Sequence, residues 1–203
     1  MLGKFGLVIP QGISHIAARV PALLEDASNE LPLAFRQLID RLTRHMKDLD
    51  QQVRELERQI VAWHRSSELS RKLEKIPGIG PLAATALVAS IADASSFDNG
   101  RQVSAWLGLV PRQSSSGGKP TLFGISKRGD VYLRTLLIHG ARSAIQSAQR
   151  KGESKNAWLA NLLARRHKNI AAVALANKNA RTAWALLAHG REFHADYLPA
   201  VAA

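Results

Sequence analysis

The sequence predicts an all-α protein: a long coiled-coil helix followed by a compact helical domain. Three observations carry that class. Apolar residues from Phe35 to Trp63 recur in alternating steps of four and three, the spacing of a helix seam. Farther on, two apolar helical runs meet at Ile76-Pro77-Gly78-Ile79-Gly80-Pro81, a turn that ends one helix and starts the next. No alternation of strand and helix units and no internal repeat is visible, which argues against a parallel-sheet fold.

Residues 1–30 read as an irregular lead-in with a modest helix near 13–26. In the heptad segment, Ile39, Met46, Val53 and Ile60 take the a positions; Phe35, Leu42, Leu49, Leu56 and Trp63 take d. Charged residues such as Arg41, Arg44, Asp48, Arg54 and Glu57 lie between them. The pattern predicts one helix over roughly 32–65. Its narrow apolar stripe favours a coiled coil, with a second copy or with another helix of the same polypeptide, over packing on its own domain. The expected organisation is a lead-in at 1–30, a coiled-coil helix at 31–66, a helical domain at 67–190 and a flexible tail at 191–203.

A hinge is expected at Ser66–Ser67. The Pro-Gly-Ile-Gly turn then resembles a helix-hairpin-helix element, with Pro81 in a first helical turn and the small residues Ala83, Ala84 and Ala86 allowing close packing. In that motif, backbone N–H groups at the hairpin and the next helix start contact a phosphate. Gly78 and Gly80 are its candidate residues; the alternative is an ordinary interhelical turn. A helix near 101–108 follows, then a Ser/Gly-rich loop at 111–120 and an extended patch at 121–125. Helices are expected near 131–149, 155–166 and 168–188, with a loose tail after Gly190.

The chain has 203 residues, no cysteine and a net charge of +12. Its 46% hydrophobic content suffices for a core. Absence of cysteine excludes disulfides and thiolate chemistry and fits a reducing cytoplasm. The N-terminal segment is broken by Pro10 and Gly12, a poor secretory signal. No run approaches the roughly 18 apolar residues of a membrane span, so a soluble cytoplasmic protein is expected. Residues 1–100 balance twelve basic against twelve acidic side chains, whereas 101–203 hold sixteen basic and four acidic. Segregation of this size points to a polyanionic partner, above all nucleic acid.

The sequence has no P-loop and no HExxH, and the seven histidines lack metal-ligand spacing. Asp93 and Asp98 read as helix-end and turn residues. No metal site is assigned in the chain. The segment 111–128 combines Ser114, Ser115 and Ser116 with Gly117, Gly118 and the cations Arg112, Lys119, Lys127 and Arg128. A serine there could attack a phosphodiester while cations stabilise the phosphate charge. Residue types alone favour plain backbone binding.

The ordered set Ile76-Pro-Gly-Ile-Gly-Pro, Phe97, Trp106-Leu-Gly-Leu-Val-Pro-Arg, Ser116-Gly117, Ile125-Ser-Lys-Arg-Gly-Asp and Leu133-Arg134-Thr-Leu-Leu closely resembles one family. It is similar to the C-terminal domain of insertion-sequence 110 transposases, which include pilin-gene invertases and bridge-RNA-guided recombinases. The likeness covers residues 73–145, and the coiled coil and the lead-in also resemble that family's middle segment. The resemblance implies DNA transposition by a serine nucleophile that forms a phosphoserine–DNA link. That serine matches Ser116, with Ser115 as second choice. Lys127, Arg128 and Arg134 match the family's basic motif, implying contact with DNA or guide RNA; Gly78 and Gly80 match its hairpin.

The resemblance also implies an N-terminal RuvC-like domain whose DEDD carboxylates bind Mg²⁺, and no such set is assignable in this sequence. The expectation is a truncated transposase, inactive alone and self-associating through the coiled coil. The alternatives are a non-catalytic, dimeric DNA- or RNA-binding module and a coiled-coil scaffold with an incidental basic half.

Overall fold

The heptad segment forms one uninterrupted helix. The computed structural model describes residues 2–116, 119–150 and 157–194, with side chains at all of these except 115, 116, 119 and 120. Among the described residues there are eight α-helices and one small two-stranded sheet, so the all-α class holds. The chain divides into two compact units, Met1–Gln59 and Ile60–Ala203.

The first unit holds a short 3₁₀ turn at Leu2–Phe5, helix α1 (Ile13–Glu25) and most of helix α2 (Leu33–Ser66). The Phe5 ring packs on Phe35 with centroids 5.3 Å apart. Arg36 closes the end of α1: its guanidinium donates to the carbonyls of Leu24 (2.8 Å), Asp26 (2.9 Å), Leu31 (3.0 Å) and Asn29 (3.1 Å). Those acceptors include carbonyls that a helix C-terminus leaves without partners. Along α2, Leu42, Leu49, Val53 and Leu56 are each about half exposed, whereas Phe35, Ile39 and Met46 nearer its start are partly covered.

The second unit begins with the last turns of α2. Helix α3 (Glu68–Glu74) follows, then α4 (Pro81–Ser90), α5 (Gly100–Trp106), strands β1 (Pro111–Ser116) and β2 (Lys119–Ile125), and helices α6 (Val131–Arg150), α7 (Ala157–Arg165) and α8 (Lys168–His189). The expected hinge at Ser66–Ser67 is a braced corner. Ser67 Oγ accepts from the N–H of Ser70 at 3.2 Å and caps α3. The buried His64 ring lies across the corner, Nδ1 2.7 Å from Ser70 Oγ and Nε2 2.9 Å from Glu74 Oε2. With a carboxylate at Nε2, that nitrogen donates, and in the neutral ring Nδ1 accepts the serine proton.

The core is built around α6 and α8, with α4, α5 and α7 packed around them. The α8 face in the core is alanine-rich: Ala171, Ala172, Ala176, Ala180 and Ala183 are all fully buried. Small side chains at this spacing bring neighbouring helix backbones close. Leu73, Leu87, Val103, Leu107, Leu133 and Leu137 fill the remaining interior.

One expectation is corrected. The Ser/Gly-rich stretch forms a strand: β1 pairs antiparallel with β2, Ser116 opposite Lys119 and Pro111 opposite Ile125. The sequence joins those strands through Gly117-Gly118, residues suited to a two-residue hairpin connection; both lie outside the described residues. The tail is tied down where it starts. Glu192 pairs with Lys75 at 2.5 Å, and Phe193 packs on the core. Lys75 holds the Glu192 carboxyl below the usual carboxylate range. This tie is present at neutral pH and is lost as pH falls through that lowered value. Residues 195–203 of the expected tail lie outside the described residues. No helix among the described residues is long and apolar enough to cross a membrane.

The Pro-Gly-Ile-Gly turn rests on α6 backbone to backbone. Gly78 has φ +91°, and a Cβ there would stand 2.7 Å from the Gly140 carbonyl oxygen; a Cβ on Gly140 would run into the Gly78 carbonyl. Gly80, by contrast, is extended and open on its Cβ side. Gly140→Ala is therefore expected to lower stability by about 1–3 kcal/mol in a urea titration, although alanine is the better helix former. Gly80→Ala is expected to stay within about 0.5 kcal/mol of the parent. Equal midpoints for the two variants would contradict the contact.

Candidate nucleic-acid interface

The candidate site is a knot of backbone between α5 and α6 from which the hairpin projects. Ser126 N–H donates to the Val110 carbonyl (2.8 Å) and Lys127 N–H to the Gly108 carbonyl (3.1 Å), closing the hairpin base. Gly108 and Gly129 both have positive φ, and their backbones press on Arg128 and Trp106 respectively, leaving no room for side chains. Lys127 is the one non-glycine residue with positive φ among the described residues, at 56°. A long basic side chain in this sparsely used conformation marks a backbone set by its surroundings. Asp130 Oδ1 accepts from Leu133 N–H at 2.8 Å, so this carboxylate is committed to starting α6.

Arg112, Lys127 and Arg128 are exposed around this knot. No salt bridge among the described residues involves a Lys or Arg beyond residue 100. The two acids described in that half are both engaged: Asp130 in the helix cap and Glu192 with Lys75. Cations without carboxylate neighbours keep their full field for an outside anion.

Arg134 differs from the exposed cations that the sequence grouped it with. It is 7% exposed. Its Nη1 donates to the carbonyls of Leu107 (3.0 Å), Arg128 (3.3 Å) and Asp130 (3.4 Å). It holds both sides of the knot together from below. The sequence pattern could not separate it from its neighbours, because burial depends on which face of α6 meets the core.

Ser115 and Ser116 are the last two residues of β1, with backbones paired opposite Pro120 and Lys119. The side chains of Ser115, Ser116 and Lys119 lie outside the described residues. The two-residue period of a strand places positions 112, 114 and 116 in one set and 111, 113 and 115 in the other. A bulge near Arg112 sets Phe123 and Gly124 opposite that single residue.

Gly78 and Gly80 lie in the other turn, whose contact point on α6 is Gly140. Six residues separate Gly140 from Arg134, about 9 Å along the helix axis. The α4 N-terminus at Gly80 has no side-chain cap. Two asparagines of α8 pin both turns from inside: Asn179 Nδ2 donates to the Pro77 carbonyl (2.8 Å), and Asn177 Nδ2 to the Leu109 carbonyl (3.1 Å). Neither was singled out from sequence; an asparagine in an alanine-rich helix is the only signal present. A further exposed basic run, Arg165-Arg166-His167-Lys168 between α7 and α8, was also not singled out. Among the described residues no three His, Asp or Glu side chains are grouped to hold a metal ion. The Mg²⁺ implied by the family resemblance has no fitting ligand set among the described residues. Asp93 caps a short 3₁₀ turn through Ser95, and Asp98 bonds Gln102.

Residues 70–157 match the family model described as Transposase IS116/IS110/IS902 family. This chain carries an IS110-family transposase domain. It is 46% identical over 188 residues to a probable family 20 transposase of Pseudomonas aeruginosa, covering 92% of this chain and 56% of that protein. It is 40% identical over 187 residues to the transposase for insertion sequence element IS1111A of Coxiella burnetii, covering 92% and 51%. It is likewise 40% identical over 190 residues to the transposase for IS1328 of Yersinia enterocolitica, covering 94% and 56%. The chain thus spans about half the length of these curated relatives.

The matched domain contains the glycine turn, the hairpin, the cation knot and α6. The asparagines that pin it come from α8, beyond the matched residues. Arg134→Ala is expected to lower stability by about 2–4 kcal/mol, since it removes the guanidinium donor from the Leu107 and Arg128 carbonyls and leaves a void. Arg112→Ala should leave the thermal midpoint within about 2 °C of the parent. Similar melting curves for Arg134→Ala and the parent would count against this role for the buried guanidinium.

Proposed function

We propose that this chain supplies the serine-bearing, nucleic-acid-binding part of a DNA transposition or site-specific recombination machine. One observation carries the reading: the exposed cations Arg112, Lys127 and Arg128 surround a backbone knot and none of them forms a salt bridge, within a transposase-family domain. In the proposed step Ser116 gives up its hydroxyl proton and Oγ bonds to phosphorus. The bond from phosphorus to one sugar oxygen breaks, and that oxygen leaves with a proton. The product is a phosphoserine–DNA ester. Arg112, Lys119, Lys127 and Arg128 stabilise the added phosphate charge. Ser116 stands ahead of Ser115 as the serine that matches the family's Ser-Gly pair. Arg134 acts by positioning these cations.

Gly78 and Gly80 form a second contact in this reading, where the uncapped start of α4 meets a backbone phosphate. The same basic surface would serve a guide RNA. Carboxylates for Mg²⁺ are not grouped among the described residues, so the chain alone is proposed not to exchange strands. A second reading is a non-catalytic dimeric binding module. The uncovered seam at Leu42, Leu49, Val53 and Leu56 favours self-association as a coiled coil under either reading. The site of action is the cytoplasm, where chromosomal DNA is reached.

Binding to a fluorescein-labelled duplex is expected to weaken steeply with salt. Replacing Arg112, Lys127 and Arg128 together by glutamine should reduce the log–log salt slope by about 2–3. Ser116→Ala should leave affinity within about twofold and remove any denaturant-resistant protein–DNA adduct formed when the metal-binding part is supplied separately. Adduct formation by Ser116→Ala but not by Ser115→Ala would move the nucleophile to Ser115. Strand exchange by this chain alone would overturn the proposed division of labour.

A further inference from the structure

Most of the described aromatic rings are at least partly covered, Trp63 and Trp158 being the exposed tryptophans. Phe5 packs on Phe35, Phe97 on Trp106, and Phe193 against the core. Among the described phenylalanines and tyrosines, Phe123 and Tyr132 alone are exposed, at 52% and 57%. Both flank the cation knot. Phe123 lies on β2 across the bulge from Arg112, and Tyr132 is in the first turn of α6, directly after the Lys127–Asp130 turn. Each has an exposed apolar neighbour, Leu122 at 65% and Val131 at 64%. Neither ring is needed to build the fold: β2 is held by its ladder with β1, and α6 is held by Leu133, Leu137 and Ala141 on its opposite side.

We infer that Phe123 and Tyr132 form a stacking surface for unpaired bases, so that the preferred ligand is a single-stranded or locally opened nucleic acid. This rests on the nucleic-acid reading above and specifies the form of the ligand. The chemistry of the patch selects that occupant. Unpaired guanidinium and ammonium groups call for a polyanion, and flat exposed rings call for another π face. A strand with unstacked bases offers both within one nucleotide repeat. An intact duplex offers only the phosphates, because its base faces are covered by their neighbours. An apolar protein surface would leave Arg112, Lys127 and Arg128 desolvated without countercharge. The rings stand beside the hairpin base and the α6 start, where Ser126 and Lys127 bond back to Val110 and Gly108. A stacking platform gains most when its position is set before binding.

The test uses the full chain and three fluorescein-labelled probes of one sequence, roughly 20 nucleotides long to exceed a typical site size: single-stranded DNA, single-stranded RNA and duplex DNA. Phe123→Ala and Tyr132→Ala are each expected to weaken single-strand binding about tenfold and duplex binding less than about twofold. Phe123→Trp and Tyr132→Phe, which keep a ring, should retain parental affinity. A 2-aminopurine base within the DNA strand should be quenched by the parent and by Phe123→Trp, and not by the double alanine variant. The ratio of DNA to RNA affinity identifies which strand the surface prefers. Equal losses on strand and duplex, or no loss on either, would overturn the stacking surface. So would a change in oligomeric state by light scattering in place of a change in affinity, since the patch would then be a contact between copies. If the aromatic variants bind as the parent while the triple glutamine variant binds weakly, stacking fails and the broader reading stands. If the parent binds no probe at any salt concentration, both fail.

Discussion

The glycine turn lies on helix α6 with no side chain between the two backbones. Gly78 and Gly140 stand carbonyl against α-carbon, and a methyl group on either would force them apart. Much of the second unit depends on this approach. It sets where α4 begins, and it brings Pro77 within reach of Asn179 on α8. Six residues earlier on the same helix, Arg134 ties the other turn into place through three carbonyls. Helix α6 is thus a common post for two polar turns, and α8 braces each of them from the interior through a buried or half-buried asparagine. Loops that must present cations or N–H groups to a ligand are usually the softest part of a domain. Here they are fastened by hydrogen bonds whose loss would leave buried carbonyls unsatisfied.

Electrostatics divides the molecule along its sequence. In the first hundred residues charges are balanced, and several form helix pairs such as Arg44 with Asp40 and Arg58 with Glu55. In the basic half the two described acids are spent on structure, on the α6 cap and the tie between Glu192 and Lys75. The described cations of that half other than Arg134 are exposed, and self-repulsion among them is a standing cost to the fold. A polyanionic ligand relieves that cost. The same logic distinguishes Arg134 from Arg112 and Arg128: a buried guanidinium saturated by carbonyls is a structural fastener, and an exposed one without partners is available to phosphate.

Helix α2 poses a different constraint. A helix of 34 residues needs tertiary or quaternary packing to be stable in water. Its first turns have that support from the lead-in residues and Arg36, and its last turns are braced at the His64–Ser70–Glu74 corner. Between them the apolar seam is open to solvent. The heptad spacing and the exposure of this stretch are what motivate the proposed coiled coil.

By itself the sequence determined the order and approximate limits of the helices, because apolar periodicity and the turn residues at Ser67, Pro77–Pro81 and Gly190 are local signals. It also determined the charge segregation and the family resemblance, since both are properties of residue order. The residue pattern placed Arg112, Lys127, Arg128 and Arg134 together but could not sort them. Only the tertiary structure decided that Arg134 is buried, that the serine stretch is a strand, and that two asparagines of α8 hold the turns. It alone showed that Phe123 and Tyr132 stay uncovered. The physical reason is the same in each case: burial, strand pairing and exposure depend on contacts between segments up to about a hundred residues apart, as between Asn179 and Pro77. No local pattern encodes which of those contacts will form.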